Sequence, residues 1–253
     1  MIVLLSPAKT LDESHAEYDF HSVPRMLAQS EELVANLKTK GSEDIQKLMK
    51  VSAKIADLNV ARFNEFSTPF SEENAKPSIL MFKGDVYTGF DASTLDKKGL
   101  EFAQKHIRIL SGLYGVLRPM DLMQSYRLEM GTRLENKKGK NLYEFWGKEI
   151  TEKINEDLID SEGETIINLA SKEYFSSVKP KELKGELIHL NFKEERDGKF
   201  KIISFNAKKA RGVMARYIVD HEITKPEALK AFNLDNYIFN DELSSEKEWI
   251  FTR

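Results

Sequence analysis

The residues best suited to chemistry lie in one stretch, His106–Leu134, which reads HIRILSGLYGVLRPMDLMQSYRLEMGTRL. Glycine turns occur in it together with arginines, of which Arg118, Arg127 and Arg133 follow the apolar run, and with the carboxylate of Glu129 between the last two. A guanidinium group donates two parallel hydrogen bonds and therefore suits phosphate oxygens. The stretch indicates a binding site for an anion, with the arginines as the groups that contact it.

The charge distribution supports an anionic partner, although the net charge of the chain is −3. Residues 103–148 carry nine basic and four acidic side chains, and residues 171–216 carry twelve basic and six acidic ones. A single block of this kind is typical of a solvated surface. Two blocks that both contain glycine and arginine favour a binding function.

Four short apolar runs end directly in polar turns, and these turns bring further candidates together. The endings read LL-SPAKT, MF-KGDVY, IL-SGLYG and NL-ASKEY. If the runs are parallel strands that lie side by side, their carboxyl ends share one edge of the sheet, and ligands bind beyond that edge. We call this edge the rim, and the residues predicted to line it are Ser6, Lys9, Lys83, Asp85, Ser111, Ser171 and Lys172. Ordinary turn chemistry explains Ser, Asp and Gly at these positions, but not a lysine after three of the four runs.

A helix predicted from Asn206 to about His221 is the other basic element. One of its sides carries Lys208, Lys209, Arg211 and Arg216, and apolar residues lie opposite. Gly212 sits in the middle of the basic side, where glycine costs about 1 kcal/mol relative to alanine. A close approach by a ligand or by another helix would explain this glycine, and an ordinary surface helix is the alternative.

Established catalytic signatures are absent from the sequence. It contains no GxxxxGK[ST], no GxGxxG after a strand and no GxSxG, and its five histidines show no HxxxH spacing. No metal site and no cofactor are therefore predicted. Asp85 and Glu129 are the best acid–base candidates because glycine and basic residues surround them, and Ser6 is a third catalytic candidate. A binding protein is favoured over an enzyme.

The pattern of short strands between helices predicts an α/β fold, with a mixed sheet flanked by helices, in a single domain over residues 1–253. The apolar runs predict strands at Met1–Leu5, Ser78–Phe82, His106–Leu110 and Thr165–Leu169, and alternation predicts a strand at Arg127–Leu134 and a hairpin of Glu186–Lys193 with Phe200–Phe205 through Asp197-Gly198. Helical spacing predicts helices at residues 25–38, from Ser42, from Ser52, at Thr94–Gln104 and from Asn141 through Leu158. The tail from Thr224 is predicted to be a short helix followed by irregular chain.

The composition indicates where the protein works. The chain has no cysteine, which fits a reducing compartment. Its first residues, MIVLLSPAKT, have no basic leader, and the apolar run is far shorter than the ~18 residues of a membrane span. We expect a cytoplasmic protein with no membrane partner.

Five long motifs carry a resemblance to a known family. They are SPAKTLD at Ser6–Asp12, FKGDVYTG at Phe82–Gly89, the segment Leu110–Leu134, NLASKEYFSSVKPK at Asn168–Lys181 and ISFNAKKARGVMARYI at Ile203–Ile218. Together they resemble the bacterial YaaA peroxide-stress family over essentially the whole chain. The resemblance implies a cytoplasmic protein of the oxidative-stress response that limits unincorporated iron and oxidative DNA damage. It also implies a positively charged cleft, a helix-hairpin-helix element and binding of duplex DNA.

The helix-hairpin-helix element would lie at residues 44–63. Such hairpins usually offer backbone N–H groups to phosphate from a glycine-rich turn, yet no glycine occurs between Gly41 and Gly84. Lys47, Lys50 and Lys54 could supply charge instead. A plain helical pair is the alternative.

Two functions remain open on the sequence. The first is recognition of the DNA backbone and shape, of intact or bulged duplex, by Lys9, Lys83, Arg118, Arg127, Arg133, Lys172, Lys208, Lys209, Arg211, Lys50 and Lys54. The second is an enzyme that acts on a nucleotide or another phosphorylated small molecule at the rim. The oligomeric state is not predicted.

Overall fold

The computed structural model describes residues 1–253, and its centre is a mixed sheet of eight strands. The strands of the chain are β1 (Ile2–Leu5), β2 (Thr10–Leu11), β3 (Lys76–Pro77), β4 (Phe82–Lys83), β5 (Ile107–Ser111), β6 (Gly115–Leu117), β7 (Leu122–Met123), β8 (Thr165–Asn168), β9 (Glu186–Arg196), β10 (Lys199–Lys201), β11 (Ile238–Phe239) and β12 (Glu248–Thr252). The central sheet has the order β11-β12-β9-β8-β1-β5-β6, and β10 pairs with β9.

Five neighbouring strands of this sheet, β12, β9, β8, β1 and β5, are parallel, while β6, β10 and β11 are antiparallel to their partners. Val3 of β1 lies opposite Ile107 of β5 on one side and Ile167 of β8 on the other. All residues of these three strands are buried, as expected for parallel strands that are covered on both faces. The carboxyl ends of β1, β5 and β8 therefore lie at one edge, as the rim requires.

Ten α-helices surround the sheet. They are α1 (Leu27–Lys38), α2 (Ser42–Met49), α3 (Ala53–Glu65), α4 (Ser78–Met81), α5 (Asp85–Phe90), α6 (Lys97–His106), α7 (Leu142–Trp146), α8 (Glu149–Asp160), α9 (Lys172–Phe175) and α10 (Ser204–Asp220). Buried apolar residues from Met1 to Phe251 form one continuous core, which agrees with a single-domain α/β fold. None of the helices has the length and apolar character needed to cross a lipid bilayer.

The prediction of a strand at Ser78–Phe82 is wrong. Residues 78–81 form α4, whose first residue donates a hydrogen bond from its hydroxyl to the carbonyls of Arg118 and Pro119. Only β4 follows, and it pairs with β2 in a separate antiparallel ribbon. An apolar run of five residues fits a buried helical turn as well as a buried strand, and this is why the pattern misled.

The predicted strand at Arg127–Leu134 does not form either. Its side chains do alternate between buried and more exposed positions, as the sequence suggests. No other strand pairs with it, because its backbone lies against a turn instead: a Cβ added to Gly112 would overlap the Leu128 carbonyl oxygen. Alternation therefore reports burial correctly here, but not hydrogen-bonded pairing.

Three further boundaries differ from the predictions. The helical pattern from Asn141 is divided into α7 and α8 at Gly147, which has a φ of +52°. Helix α10 begins at Ser204, and Asn206 donates its amide to Glu194 at 2.6 Å instead of capping the helix. The tail, predicted to be irregular, contributes β11 and β12, and β12 is an interior strand.

A buried charge cluster joins α8 to the sheet. The Asp157 carboxylate accepts bonds of 2.6 and 2.8 Å from the fully buried Arg108, and of 2.7 and 2.8 Å from Arg25. Burial acts to raise the pKa of Asp157, but the hydrogen bonds from both guanidinium groups outweigh it and hold that pKa below its ordinary value. This part of the first basic block is therefore structural.

Candidate functional site

Serine residues that follow two adjacent strands form the floor of the rim. Ser6 follows β1 and Ser171 precedes α9, shortly after β8, so the two meet because β1 and β8 are neighbours. The Ser171 backbone N–H donates to the Ser6 hydroxyl oxygen at 2.8 Å, and the two hydroxyl oxygens are 3.3 Å apart. The Tyr87 hydroxyl donates to the Ser6 carbonyl at 3.0 Å, which ties α5 to the same point.

A carboxylate shared by two cations lies next to these serines. Glu129 accepts from Lys9 at 2.8 Å and from Arg127 at 3.1 Å. The Lys9 side chain is 60% exposed, whereas that of Arg127 is 20% exposed and its Nε is buried without a hydrogen-bond partner. The cluster of three therefore keeps a net positive charge that faces solvent.

The ribbon of β2 and β4 brings Lys83 and Asp85 to the same region. Lys83 lies opposite Thr10, and its ammonium group is 3.1 Å from Asp12. Hydrogen bonds from Ser14, and then from Lys83, hold the pKa of Asp12 well below its usual range. Asp85 is the first residue of α5, directly after Gly84, where an added Cβ would be 3.3 Å from the Ala8 side chain.

Buried tyrosines lie behind the rim. Tyr126 shares a hydrogen bond of 2.6 Å with Ser111, whose hydroxyl also accepts from the Tyr114 backbone N–H at 2.9 Å. Burial raises the pKa values of Tyr126, Tyr174 and Tyr87, so their hydroxyls stay neutral over the physiological range. Ser111 is thus the buried last residue of β5 and is not open to a ligand.

Helix α10 reaches the rim through its contact with α5. A Cβ at Gly212 would overlap the Val86 carbonyl oxygen, so the close approach of another helix explains this glycine. Arg211 is adjacent to that contact, and its Nε is buried with no partner. Burial lowers the pKa of Arg211, as expected for a cation that has lost water and gained no counterion.

Several residues that the sequence predicted to be binding cations form ion pairs within the protein. Arg118 donates to the buried Asp121 at 2.8 Å and lies after β6, which runs back from the rim because it is antiparallel to β5. Lys209 pairs with Asp235 at 3.3 Å, and Arg216 pairs with Asp220 at 2.7 Å. Five predicted residues are exposed and form no ion pair: Arg133, Lys172, Lys208, Lys50 and Lys54.

The predicted helical pair at residues 44–63 is present as α2 and α3. Lys50 ends α2 with a φ of +53°, and Ser52 lies at the N-cap of α3. The contribution of this pair to DNA binding stays a prediction.

One cavity was not predicted. It has a volume of about 830 Å³ and is lined by five glutamates, Glu13, Glu17, Glu65, Glu72 and Glu73, against the cations Arg62 and Lys76. The Arg62 guanidinium is 2.6 Å from the Glu13 carboxylate, so part of the positive charge of Arg62 is already neutralised. The acidic lining of the cavity is unsuited to phosphate. No group of three or more His, Cys, Asp or Glu side chains is arranged to hold a metal ion.

A comparison with known families identifies the family of the chain. A family model described as peroxide stress protein YaaA matches residues 1–243. The match includes every motif on which the resemblance was based, so that prediction is confirmed. The chain belongs to the peroxide stress protein YaaA family.

Proposed function

We propose that this peroxide stress protein binds duplex DNA through its phosphate backbone and thereby limits oxidative damage to the DNA. The rim is the proposed contact surface, with Lys9, Lys83, Arg127, Lys172 and Arg211 as its cations. Phosphate contacts of this kind set position and orientation without reading the base sequence.

The observation that supports this proposal best is the exposed positive charge at the rim. The side chains of Lys9 and Lys83 are 60% and 63% exposed, and Lys172 is exposed and forms no ion pair. A phosphate oxygen is an acceptor of the right charge for such cations. Arg127 and Arg211 add two partly buried guanidinium groups, whose unpartnered Nε is shared with Arg25 and Arg62 and is not specific to the rim.

Binding of this kind has a defined salt dependence. Each phosphate neutralised by a lysine or arginine releases a counterion, and log K falls by about 0.9 per contact for each decade of salt. If all five cations contacted phosphate fully, the affinity would therefore fall roughly 500-fold between about 50 and 200 mM salt. Fewer engaged cations give a shallower slope.

The test is fluorescence anisotropy of a labelled duplex as a function of salt. Lys172→Glu should weaken binding to all sequences alike and make the slope shallower by about 0.9 or more. Lys105→Glu is the matched control, because Lys105 is exposed, unpaired and next to β5 at the opposite edge of the sheet. Absence of binding by the wild type at about 50 mM salt would overturn the proposal.

We propose that the protein lowers the level of unincorporated iron through its part in the peroxide-stress response, and not by chelating iron itself. Unincorporated iron would be measured by electron paramagnetic resonance in cells exposed to peroxide. Cells that express Lys172→Glu in place of the wild type should show more DNA damage. If they show wild-type damage, DNA binding does not account for the protection.

A second candidate is an enzyme that acts on a nucleotide. The observation in its favour is the group of neutral hydroxyls behind the rim, since Tyr87 and Ser171 both bond to Ser6, and a backbone-binding surface does not need them. A thermal-shift screen with nucleotides and nucleobases distinguishes the two. A large stabilisation by one small molecule, with no DNA binding, would favour the enzyme.

A further inference from the structure

The glutamate-lined cavity is a second concave surface of the molecule, and the proposed function does not use it. Its volume of about 830 Å³ lies within the range of roughly 300–1,000 Å³ that is usual for small-molecule sites. Its wall is formed by the loop of residues 13–18, by α3, by residues 72–76 and by residues 124–125. None of the cations assigned to the rim is part of this wall. The cavity therefore needs an explanation of its own.

The two cations in the wall are already bonded within the protein. The Arg62 side chain is 16% exposed and donates to the Glu13 carboxylate at 2.6 Å. The Lys76 side chain is 11% exposed, and its ammonium group donates to the carbonyls of Asp12 at 2.9 Å and of Ser14 at 2.8 Å. Neither cation is bonded to any of the other four glutamates of the wall.

Those four glutamates leave a surplus of negative charge. Glu17, Glu65 and Glu73 are exposed and form no ion pair. Glu72 is 3.2 Å from Nδ1 of His21, which is a counterion only when the imidazole is protonated. Five glutamates against two cations give the lining a formal charge of −3 with histidine neutral. Charge complementarity therefore favours a cationic occupant.

The distribution of this charge favours an extended cation over a metal ion. A divalent metal needs several oxygen ligands that converge on one point at about 2.0–2.6 Å. The carboxylates of the cavity belong to separate segments of the chain, and they form no such group. The wall also contains apolar surface, from Leu58, which is 47% exposed, from Met81 and from the ring of Tyr18. Separate negative charges together with apolar surface are complementary to ammonium groups that are joined by methylene segments.

We propose that the cavity binds a linear polyamine. Its ammonium groups pair with Glu17, Glu65 and Glu73, and its methylene segments lie against Leu58 and Tyr18. Each ion pair at an exposed carboxylate is weak, so affinity comes from several pairs made by one molecule, together with the apolar area that it buries. This site is independent of the rim and of DNA.

The test is isothermal titration calorimetry of the full chain, without DNA, at low salt. The probes are spermidine, with three ammonium groups, putrescine, with two, and butylamine, with one. Spermidine should bind with a stoichiometry of one, putrescine more weakly and butylamine not detectably, because each further ammonium group reaches another carboxylate. The affinity for spermidine should fall as salt is added, since salt screens exposed charges. No binding of spermidine at low salt would overturn the proposal.

The double variant Glu65→Gln with Glu73→Gln removes two unpaired carboxylates from the wall with little change in volume. It should bind spermidine about five- to ten-fold more weakly than the wild type does. The matched control is Glu101→Gln with Glu246→Gln, because both glutamates are exposed and unpaired and neither lines the cavity. The control should bind as the wild type does. Equal weakening in the two double variants would overturn the proposal, because it would show that spermidine responds only to the total charge.

Two further measurements identify the occupant. Leu58→Gln keeps every charge and removes apolar surface, so it should also weaken spermidine binding; displacement of spermidine by an equal concentration of magnesium ions would instead show a diffuse counterion and overturn the proposal. Binding of tetralysine without binding of spermidine would assign the cavity to a basic segment of a protein. None of the substituted residues is a rim cation, so the failure of this proposal leaves the proposed DNA contact untouched.

Discussion

Replacing Glu129 by glutamine should strengthen DNA binding. The Glu129 carboxylate is bonded to Lys9 at 2.8 Å and to Arg127 at 3.1 Å, so it competes with phosphate for both cations. Glutamine has nearly the same volume and removes one negative charge. If the released charge engages one additional phosphate, the slope of log K against log salt steepens by about 0.9, and the affinity at about 0.15 M salt rises roughly five-fold.

The measurement is duplex binding by anisotropy over a range of salt concentrations. Glu156→Gln is the matched control, because Glu156 pairs with Lys153 at 2.8 Å on the exposed side of α8, so it loses the same charge away from the rim. The control should bind as the wild type does. Unchanged or weaker binding by Glu129→Gln, with an unaltered thermal denaturation profile, would refute the reasoning and indicate that the carboxylate is needed to orient its two partners.

The other predictions concern stability. Asp157→Asn should lower the free energy of unfolding by about 3 kcal/mol and Tm by roughly 6–12 °C, because the buried Arg108 and the partly buried Arg25 lose their shared counterion; denaturant titration beside the exposed Asp160→Asn checks this, and equal effects would contradict it. Since the pKa of Asp157 is depressed in the folded protein, its contribution is complete above the unfolded value of about 3.9 and is lost as the pH falls below it, so the difference between variant and wild type should shrink in acid. Gly212→Ala should lower the free energy of unfolding by about 1–3 kcal/mol, because the added methyl group would overlap the Val86 carbonyl oxygen. Lys208→Ala, on the exposed side of the same helix, should leave the free energy of unfolding nearly unchanged.

The parallel core of the fold could be predicted because its strands are short, continuous and buried on both faces. That pattern identified β1, β5 and β8 to within one residue, and Asp197-Gly198 identified the hairpin turn. The second hairpin strand, predicted at Phe200–Phe205, was wrong in its extent, because β10 ends at Lys201 and α10 begins at Ser204. It could not separate α4 from a strand, because one buried turn of helix and one buried strand have the same apolar composition. It also missed β12, whose apolar run of three residues is short and lies in an acidic tail, although tertiary pairing with β9 makes it an interior strand.

The candidate site was predictable only in outline. The rule that strand ends share an edge correctly placed Ser6 beside Ser171. The ion pairs that neutralise part of the positive charge were not predictable. Lys9 and Glu129 are separated by 120 positions, and only the folded chain makes them neighbours. The exposure of Phe200 and Ile202 was not predicted, because these residues have the alternation of an ordinary half-buried strand and the sequence does not reveal that nothing covers them.

The position of β12 has a consequence for synthesis. Residues 248–252 lie between β9 and β11, so β9 keeps an open hydrogen-bonding edge on the ribosome until those residues have left the exit tunnel. Completion of the sheet must therefore follow translation of this segment. During that interval the nascent chain is most exposed to pairing with another copy and has the greatest need of a chaperone.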